Sequence, residues 1–305
     1  MKLENLSASQ SCSILRAEGL ALSLPPFNVR ITSSIPSVGD TLRLLYGSFD
    51  LAKNDDFVDF NVTVDSPSLL RKWYRPQVNF SFDGYFPFIP LPLEQAYPIL
   101  EWGINWSIAT TINHCLVIHA ATIERDGKAI IMPAPPGSGK STLCTGLVVR
   151  GWRLLSDEFA LISLDDLSLT PSPRAISLKN QSIDIIKRFQ PDVVMSPPTP
   201  HTTKGTIAYM RTPEDSVSRQ KEKAVPGWIV FPRYLPDAEA RLETLSKSQT
   251  VLELATNAFN YSVLGRQGFE TLTDLAEQCV CYRFTYSKLD DAIAIFDELC
   301  SSTNH

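Results

Sequence analysis

At 305 residues, with 44% hydrophobic and 20% charged side chains, the chain has the composition of an ordinary globular protein and the length for two domains or for one large domain with an appendage. Twenty-eight Lys+Arg against 33 Asp+Glu give a formal charge of −5 with no basic run that could track a phosphate backbone, which argues against nucleic acid as a partner. Residues 1–11 lack an apolar signal segment and no stretch reaches bilayer-spanning length, so the expectation is a cytoplasmic protein with no membrane partner.

From Cys12 to about Phe88 the pattern is one of short alternating apolar segments broken by Pro, Gly and Asp, with strands predicted at 20–24, 42–46, 57–64 and 78–82. This reads as a small β-rich N-terminal domain, residues 1–98. The prolines Pro87, Pro90, Pro92 and Pro98 mark the change of regime, and a core domain is expected over residues 99–305.

The core opens with helical spacing over 99–113, then strands at 115–123 and 129–132 around the turn Arg125-Asp126-Gly127. A helix is predicted at 140–149, strands at 153–155 and 159–164, and a helix at 180–189. The segment 191–201 carries Pro191, Pro197, Pro198 and Pro200 and is expected to be a mobile loop. Strands at 205–210 and 228–231 follow, then helices at 250–263 and 269–277, a strand at 280–285 and a closing helix at 289–299. The cysteines Cys12, Cys115, Cys144, Cys279, Cys281 and Cys300 show no C-x-x-C spacing and read as small buried hydrophobes.

The most informative stretch is 130–142, IIMPAPPGSGKST: an apolar strand, a Gly/Pro turn, and Lys-Ser-Thr opening a helix. Gly137 and Gly139 let successive backbone N–H groups curl around an anion with no Cβ in the way, and the helix adds its unsatisfied N–H groups and positive dipole end. On this reading Pro136, Gly137, Ser138, Gly139, Lys140, Ser141 and Thr142 hold the phosphates of a nucleotide. Lys140 reaches the β- and γ-phosphates, Ser141 ligates Mg²⁺, and the cofactors are ATP and Mg. The strict pattern G-x-x-x-x-G-K-[ST] has Gly where this chain has Ala134, and the plain alternative is a glycine-rich turn that binds nothing.

Asp157-Glu158, at the end of the strand at 153–155, supplies the carboxylates that phosphoryl transfer needs. The spacing from Lys140 suits two neighbouring strands in one sheet, with the acids at the edge where ligands collect. Adjacent acids on an extended segment point to opposite faces, so one base and one metal partner is a coherent division. The alternative is a solvated acidic turn. His119 alternates with apolar neighbours on its strand and faces either core or cleft.

The segments IHAATIERDGKAIIMPAPPGSGKSTL, RGWRLLSDEF, PRAISLKNQSI, KGTIAYM, PGWIVFPRY and LATNAFNYSVLG, which cover most of residues 115–265, resemble the HPr kinase/phosphorylase superfamily, and within it the branch of HprK-related kinases of type A. The resemblance implies an α/β P-loop core, a mixed sheet with flanking helices related to phosphoenolpyruvate carboxykinase, and ATP-dependent serine kinase activity. It also implies that His119 approaches Asp157, the first acid of the pair, which serves as base toward the substrate hydroxyl. Asp157, His119 and Lys140 are then catalytic, and Ser141 and Glu158 metal-binding.

Three departures qualify the match. Glu158 replaces the family's second Asp, Lys179 stands where the family carries a Glu that helps with Mg²⁺, and the family's signature segment beyond the core is not cleanly present. Lys179, with Arg174 nearby in sequence, would instead neutralise phosphate charge. The expectation is a kinase acting on a Ser/Thr hydroxyl of a protein or peptide, with a homo-oligomer suggested by the hexameric HPr kinases. Two alternatives stand beside it: a nucleotide-dependent binding or regulatory module, and a kinase for a small hydroxylated metabolite. The acceptor, the choice of ATP or GTP and any reverse phosphorylase activity are not legible in the sequence.

Overall fold

The structure is a computed structural model that describes residues 1–53, 55–135 and 137–301. Pro136, placed by the sequence in the phosphate loop, lies outside the described residues.

The N-terminal elements are α1 (Ala8–Ala17), β1 (Leu20–Leu24), β2 (Phe27–Thr32), α2 (Pro36–Tyr46), β3 (Phe60–Asp65), α3 (Leu70–Trp73), β4 (Gln77–Phe82), β5 (Leu91–Pro92) and α4 (Ala96–Thr111). Their strands form a five-stranded sheet in chain order. The β1–β2 hairpin buries alternate residues, as half-buried strands do. This part is more helical than the sequence predicts: residues 42–46 belong to α2. Pro36 sits at its first positions, and Val38, Leu42, Leu45 and Tyr46 are buried at helical spacing. The five-residue window 42–46, apolar but for Arg43, fits either period; the proline and the upstream Val38 decide for the helix.

Helix α4 is apolar on most of its circumference, with Tyr97, Ile99, Leu100, Gly103, Ile104 and Ile108 all buried, as expected of a helix covered on several sides. It packs on β3 and β4. Gly103 lets it lie against the Phe80 ring, where any Cβ would be inside contact distance. The buried side chains of the N-terminal elements continue without interruption into Val117, Phe159 and Leu161 of the following sheet, so packing crosses the 98/99 position.

Beyond α4 the chain runs β6 (Cys115–Arg125), β7 (Lys128–Pro133), α5 (Lys140–Val149), β8 (Arg153–Ser156), β9 (Phe159–Ser163), β10 (Leu169–Thr170), β11 (Ile176–Lys179), α6 (Gln181–Phe189), β12 (Thr199–Thr202), β13 (Gly205–Met210), α7 (Glu214–Ser218), β14 (Val225–Tyr234), β15 (Arg241–Thr244), α8 (Lys247–Asn257), α9 (Tyr261–Gln278), β16 (Val280–Tyr286) and α10 (Leu289–Ser301). The main sheet is mixed and eight-stranded, ordered β10-β9-β6-β7-β14-β16-β15, with β8 also paired to β6. Its central strands β7, β14 and β16 are mutually parallel, while β6 runs antiparallel to β7. A three-stranded sheet, β11-β13-β12, lies beside it. No helix among the described residues is long and apolar enough to cross a membrane.

Two further expectations change. The segment 191–201 is partly regular: β12 begins at Thr199 and pairs with β13, and Met195 bridges Met210. The helix expected over 250–263 is two helices, because residues 258–260 leave the helix to serve β6. Ala258 bridges Ile118, the Phe259 N–H donates to the Val117 carbonyl at 2.8 Å, and the buried Asn260 side chain bonds Val117 N, Ile112 O and Cys115 O. Those buried backbone groups would otherwise lack partners, a cost of about 1–3 kcal/mol each.

Candidate functional site

The parallel strands β7, β14 and β16 end along one edge of the main sheet, and the site forms there. Residues 137–139 carry the chain from β7 into α5, with Gly137 and Gly139 both at φ +88°, in the left-handed region that an L side chain rarely adopts. The turn is tied to its neighbours. The Tyr234 N–H at the end of β14 donates to the Ser138 carbonyl at 2.8 Å, and the Tyr286 hydroxyl at the end of β16 donates to the Gly139 carbonyl at 2.9 Å. Lys140 opens α5, with Ser141 and Thr142 half-buried on its first turn. Ala134, where the usual pattern has glycine, is buried at the end of the strand.

Register brings the other side chains to this edge. Ala120 on β6 pairs with Pro133 on β7, so His119 lies just past the end of β7; on its other side His119 pairs with Phe159 on β9. The Ala120 N–H donates to the Glu158 carbonyl at 3.2 Å, which fixes Glu158 beside the imidazole. The strand at 153–156 is therefore in the sheet of β7, but β6 lies between them; the two are not adjacent as their spacing suggested.

Lys140 Nζ sits 3.2 Å from His119 Nε2. An ammonium only donates, so Nε2 accepts and the ring proton of a neutral His119 resides on Nδ1. Nδ1 is 3.7 Å from Glu158 Oε2. The Phe259 ring stands edge-on to the imidazole, with centroids 5.9 Å apart. Burial, reinforced by the Lys140 charge and opposed by Glu158, lowers His119 to about 4. The imidazole is thus uncharged at neutral pH, and its contact with Glu158 is a dipole facing a carboxylate rather than an ion pair.

The two acids separate as their alternation on the chain predicts. Asp157 is 4% exposed; its Oδ2 accepts from the Ser177 N–H at 3.1 Å and its Oδ1 is buried without a partner. Burial and the neighbouring Glu158 raise Asp157 to about 6, against the pull of Lys140, Lys179 and the Ser177 N–H. For Glu158 burial acts upward too, but Lys140, His119, Lys179 and Lys204 together bring it below the ordinary glutamate value. Adjacent carboxyls with titrations driven apart are the arrangement that separates a base from a fixed anion.

One expected relationship differs. The carboxylate that faces His119 is Glu158, the second acid, and not Asp157; the first acid is turned to Ser177. Arg174, expected to neutralise phosphate charge, is engaged elsewhere: its guanidinium bonds Glu101, 3.2 Å away, and Asn105, in a buried cluster where Glu101 also accepts from Tyr46 and Tyr97. Lys179, at the end of β11, does bear on His119, Asp157 and Glu158. Tyr286, Tyr234, Ser177 and Lys204 carry no local signal of a site role, since each reaches the site only through pairing of distant segments. No group of three or more His, Cys, Asp or Glu arranged to hold a metal occurs among the described residues.

The family described as ScmC, SynChlorMet cassette protein ScmC, matches residues 104–170, the stretch from within α4 through β10 that includes the glycine turn and both acids. The HPr(Ser) kinase/phosphatase from Coxiella burnetii aligns over 61% of this chain and 98% of its own, at 11% identity and a TM-score of 0.26. No curated protein matches the chain.

Proposed function

We propose that the chain is an ATP- and Mg²⁺-dependent kinase that transfers the γ-phosphoryl group to a Ser/Thr hydroxyl of a protein or peptide. The observation that carries this reading is the junction of Lys140, at the first position of the helix behind the glycine turn, with His119 and two acids of divergent titration. The turn amides and the α5 N-terminus are suited to the phosphate tail. Lys140 stabilises charge on the transferring group, leaving His119 for the γ-phosphate when nucleotide arrives.

Asp157 is the base. Its raised pKa would let it accept a proton near neutral pH, and Oδ1, which has no hydrogen-bond partner, is the oxygen left to take it. Magnesium bound mainly by nucleotide phosphates needs only one or two protein oxygens. Ser141 and the ionised Glu158 supply that number, and the ion would neutralise charge on the β- and γ-phosphates.

The test is single-turnover transfer from γ-labelled ATP to candidate acceptor proteins, with the phosphosite located by mass spectrometry and nucleotide affinity measured in parallel. Lys140→Ala and Asp157→Asn should each abolish labelling. Wild-type rates in either variant would refute the assignment, and tight nucleotide binding with no transfer would leave a binding module instead.

A further inference from the structure

Residues 66–76, the connection from β3 to β4, hold four large apolar side chains in water: Leu69 is 79% exposed, Leu70 67%, Trp73 87% and Tyr74 59%. Single exposed apolar residues are ordinary, but four within six positions make a surface of the kind that marks an interaction site. The foot of the connection is tied to the sheet. Asp65 Oδ1 accepts from the Ser66 N–H and from the Ser34 hydroxyl, both at 2.7 Å, and the Leu93 N–H donates to the Pro76 carbonyl at 3.1 Å.

The segment is amphipathic, with its apolar side in solvent. Helix α3 occupies Leu70–Trp73, and Leu69 before it already has helical φ and ψ. At about 100° per residue, Leu69, Leu70 and Trp73 share one side of the turn while Arg71 and Lys72 take the other. A helix on a globular core buries such an apolar side; no residue of α3 is buried. Tyr74 and Arg75 follow, the guanidinium 5.7 Å from the centre of the Tyr74 ring.

The charge is equally one-sided. Residues 66–76 carry Arg71, Lys72 and Arg75 and no acid, in a chain whose formal charge is −5. Among the described residues no carboxylate pairs with any of the three, and Lys72 Nζ donates to the Ser34 hydroxyl at 3.3 Å instead. Leucines suited to the acyl boundary, a Trp and a Tyr suited to headgroup depth, and unpaired cations beside them are the parts of an element that lies on an anionic bilayer. Such an element needs no spanning stretch.

We propose that residues 66–76 dock the chain on a lipid surface bearing anionic headgroups, with Leu69, Leu70 and Trp73 at the acyl boundary and Arg71, Lys72 and Arg75 on the phosphates. The rest of the chain is more acidic than the whole and is repelled by that surface, so this segment sets the orientation: the tip of the N-terminal sheet faces the bilayer. The docking does not depend on the kinase reading, and it would fix where the enzyme works rather than what it does.

The full chain is sedimented with vesicles of phosphatidylcholine alone and of equal parts phosphatidylcholine and phosphatidylserine. It should bind the anionic vesicles far more tightly than the neutral ones, and less so as salt rises. The partition coefficient should fall about fivefold for Arg75→Gln and about a hundredfold for Arg71→Gln/Lys72→Gln/Arg75→Gln. Leu70→Ser and Trp73→Ala should each weaken binding and leave the thermal unfolding midpoint unchanged, since both side chains are in water in the folded chain. Brominated acyl chains should quench the part of the tryptophan emission that Trp73→Phe removes. Equal sedimentation with both kinds of vesicle, or a triple variant that binds like wild type, overturns the proposal. So does a wild-type dimer in velocity ultracentrifugation that Trp73→Ala dissolves, which would give this face to a second copy of the chain.

Discussion

Lys140 Nζ and His119 Nε2 are 3.2 Å apart, so the lysine at the start of α5 is hydrogen-bonded to β6, 21 residues before it in sequence. The contact fixes the tautomer of His119 and contributes, after burial, to holding its pKa near 4. In Lys140→Met the cation is gone while burial remains. The His119 pKa should therefore rise but stay below its ordinary 6.5. Proton NMR titration of the imidazole checks this, and an unchanged value would mean that the pair is not formed in solution.

Asp157 should govern both the pH profile and the pH dependence of stability. If Asp157 is the base of the proposed transfer, its pKa of about 6 makes kcat/KM fall as pH drops below that value, because the protonated carboxyl accepts nothing. His119 titrates too low to shape this limb. Rate profiles from pH 5 to 8 locate the limb.

Stability runs the other way. Because the folded-state pKa of Asp157 is raised above the unfolded value of 3.8, the folded chain binds the proton more tightly; the resulting stability is complete below about 4 and lost as pH rises through about 6. Asp157→Asn has no charge to bury. It should match wild type in acid and exceed it above pH 6 by at most about 3 kcal/mol, read from urea unfolding at both pH values.

The glycine turn predicts a graded response. At Gly137 an added Cβ meets nothing within 4 Å, so Gly137→Ala costs only the left-handed backbone, about 1–2 kcal/mol. At Gly139 the same Cβ would collide with the Tyr286 hydroxyl and lie 2.9 Å from Tyr234 Cβ. Gly139→Ala should lose nucleotide affinity well beyond Gly137→Ala by calorimetric titration. Tyr286→Phe, which removes one bond to the turn, should cost about 0.5–1.5 kcal/mol of stability in thermal unfolding.

Glu101 and Arg174 are 5% and 8% exposed and joined at 3.2 Å. Arg174→Met would leave Glu101 buried with only the Tyr46 and Tyr97 hydroxyls and should destabilise by about 3–5 kcal/mol, measured by chemical unfolding. The companion Glu101→Gln/Arg174→Met should recover part of that loss, since it removes the uncompensated charge.

The glycine turn, α5 and the strands on either side of them were legible because each is local. The apolar run at 130–132, two glycines in three residues and a helix-forming stretch behind them leave the backbone one way to go. Helix α4 and strands β6, β7, β13 and β16 followed from periodicity for the same reason. Helix α2 was misread over 42–46 because a short apolar window fits both periods, and the 250–263 helix was misread because Asn260 is drawn out of it by β6, which lies far away in the chain.

What the sequence determined by itself is the kind of chemistry these residues can do: an anion-sized turn, a lysine and hydroxyls on the first helical turn, and two acids that alternation forces apart. Which acid meets His119, which oxygen of Asp157 is free and where Arg174 spends its charge were decided by tertiary structure. Those depend on strand register and on burial, which shift hydrogen bonds and pKa values through groups tens of residues distant, and no local pattern records them.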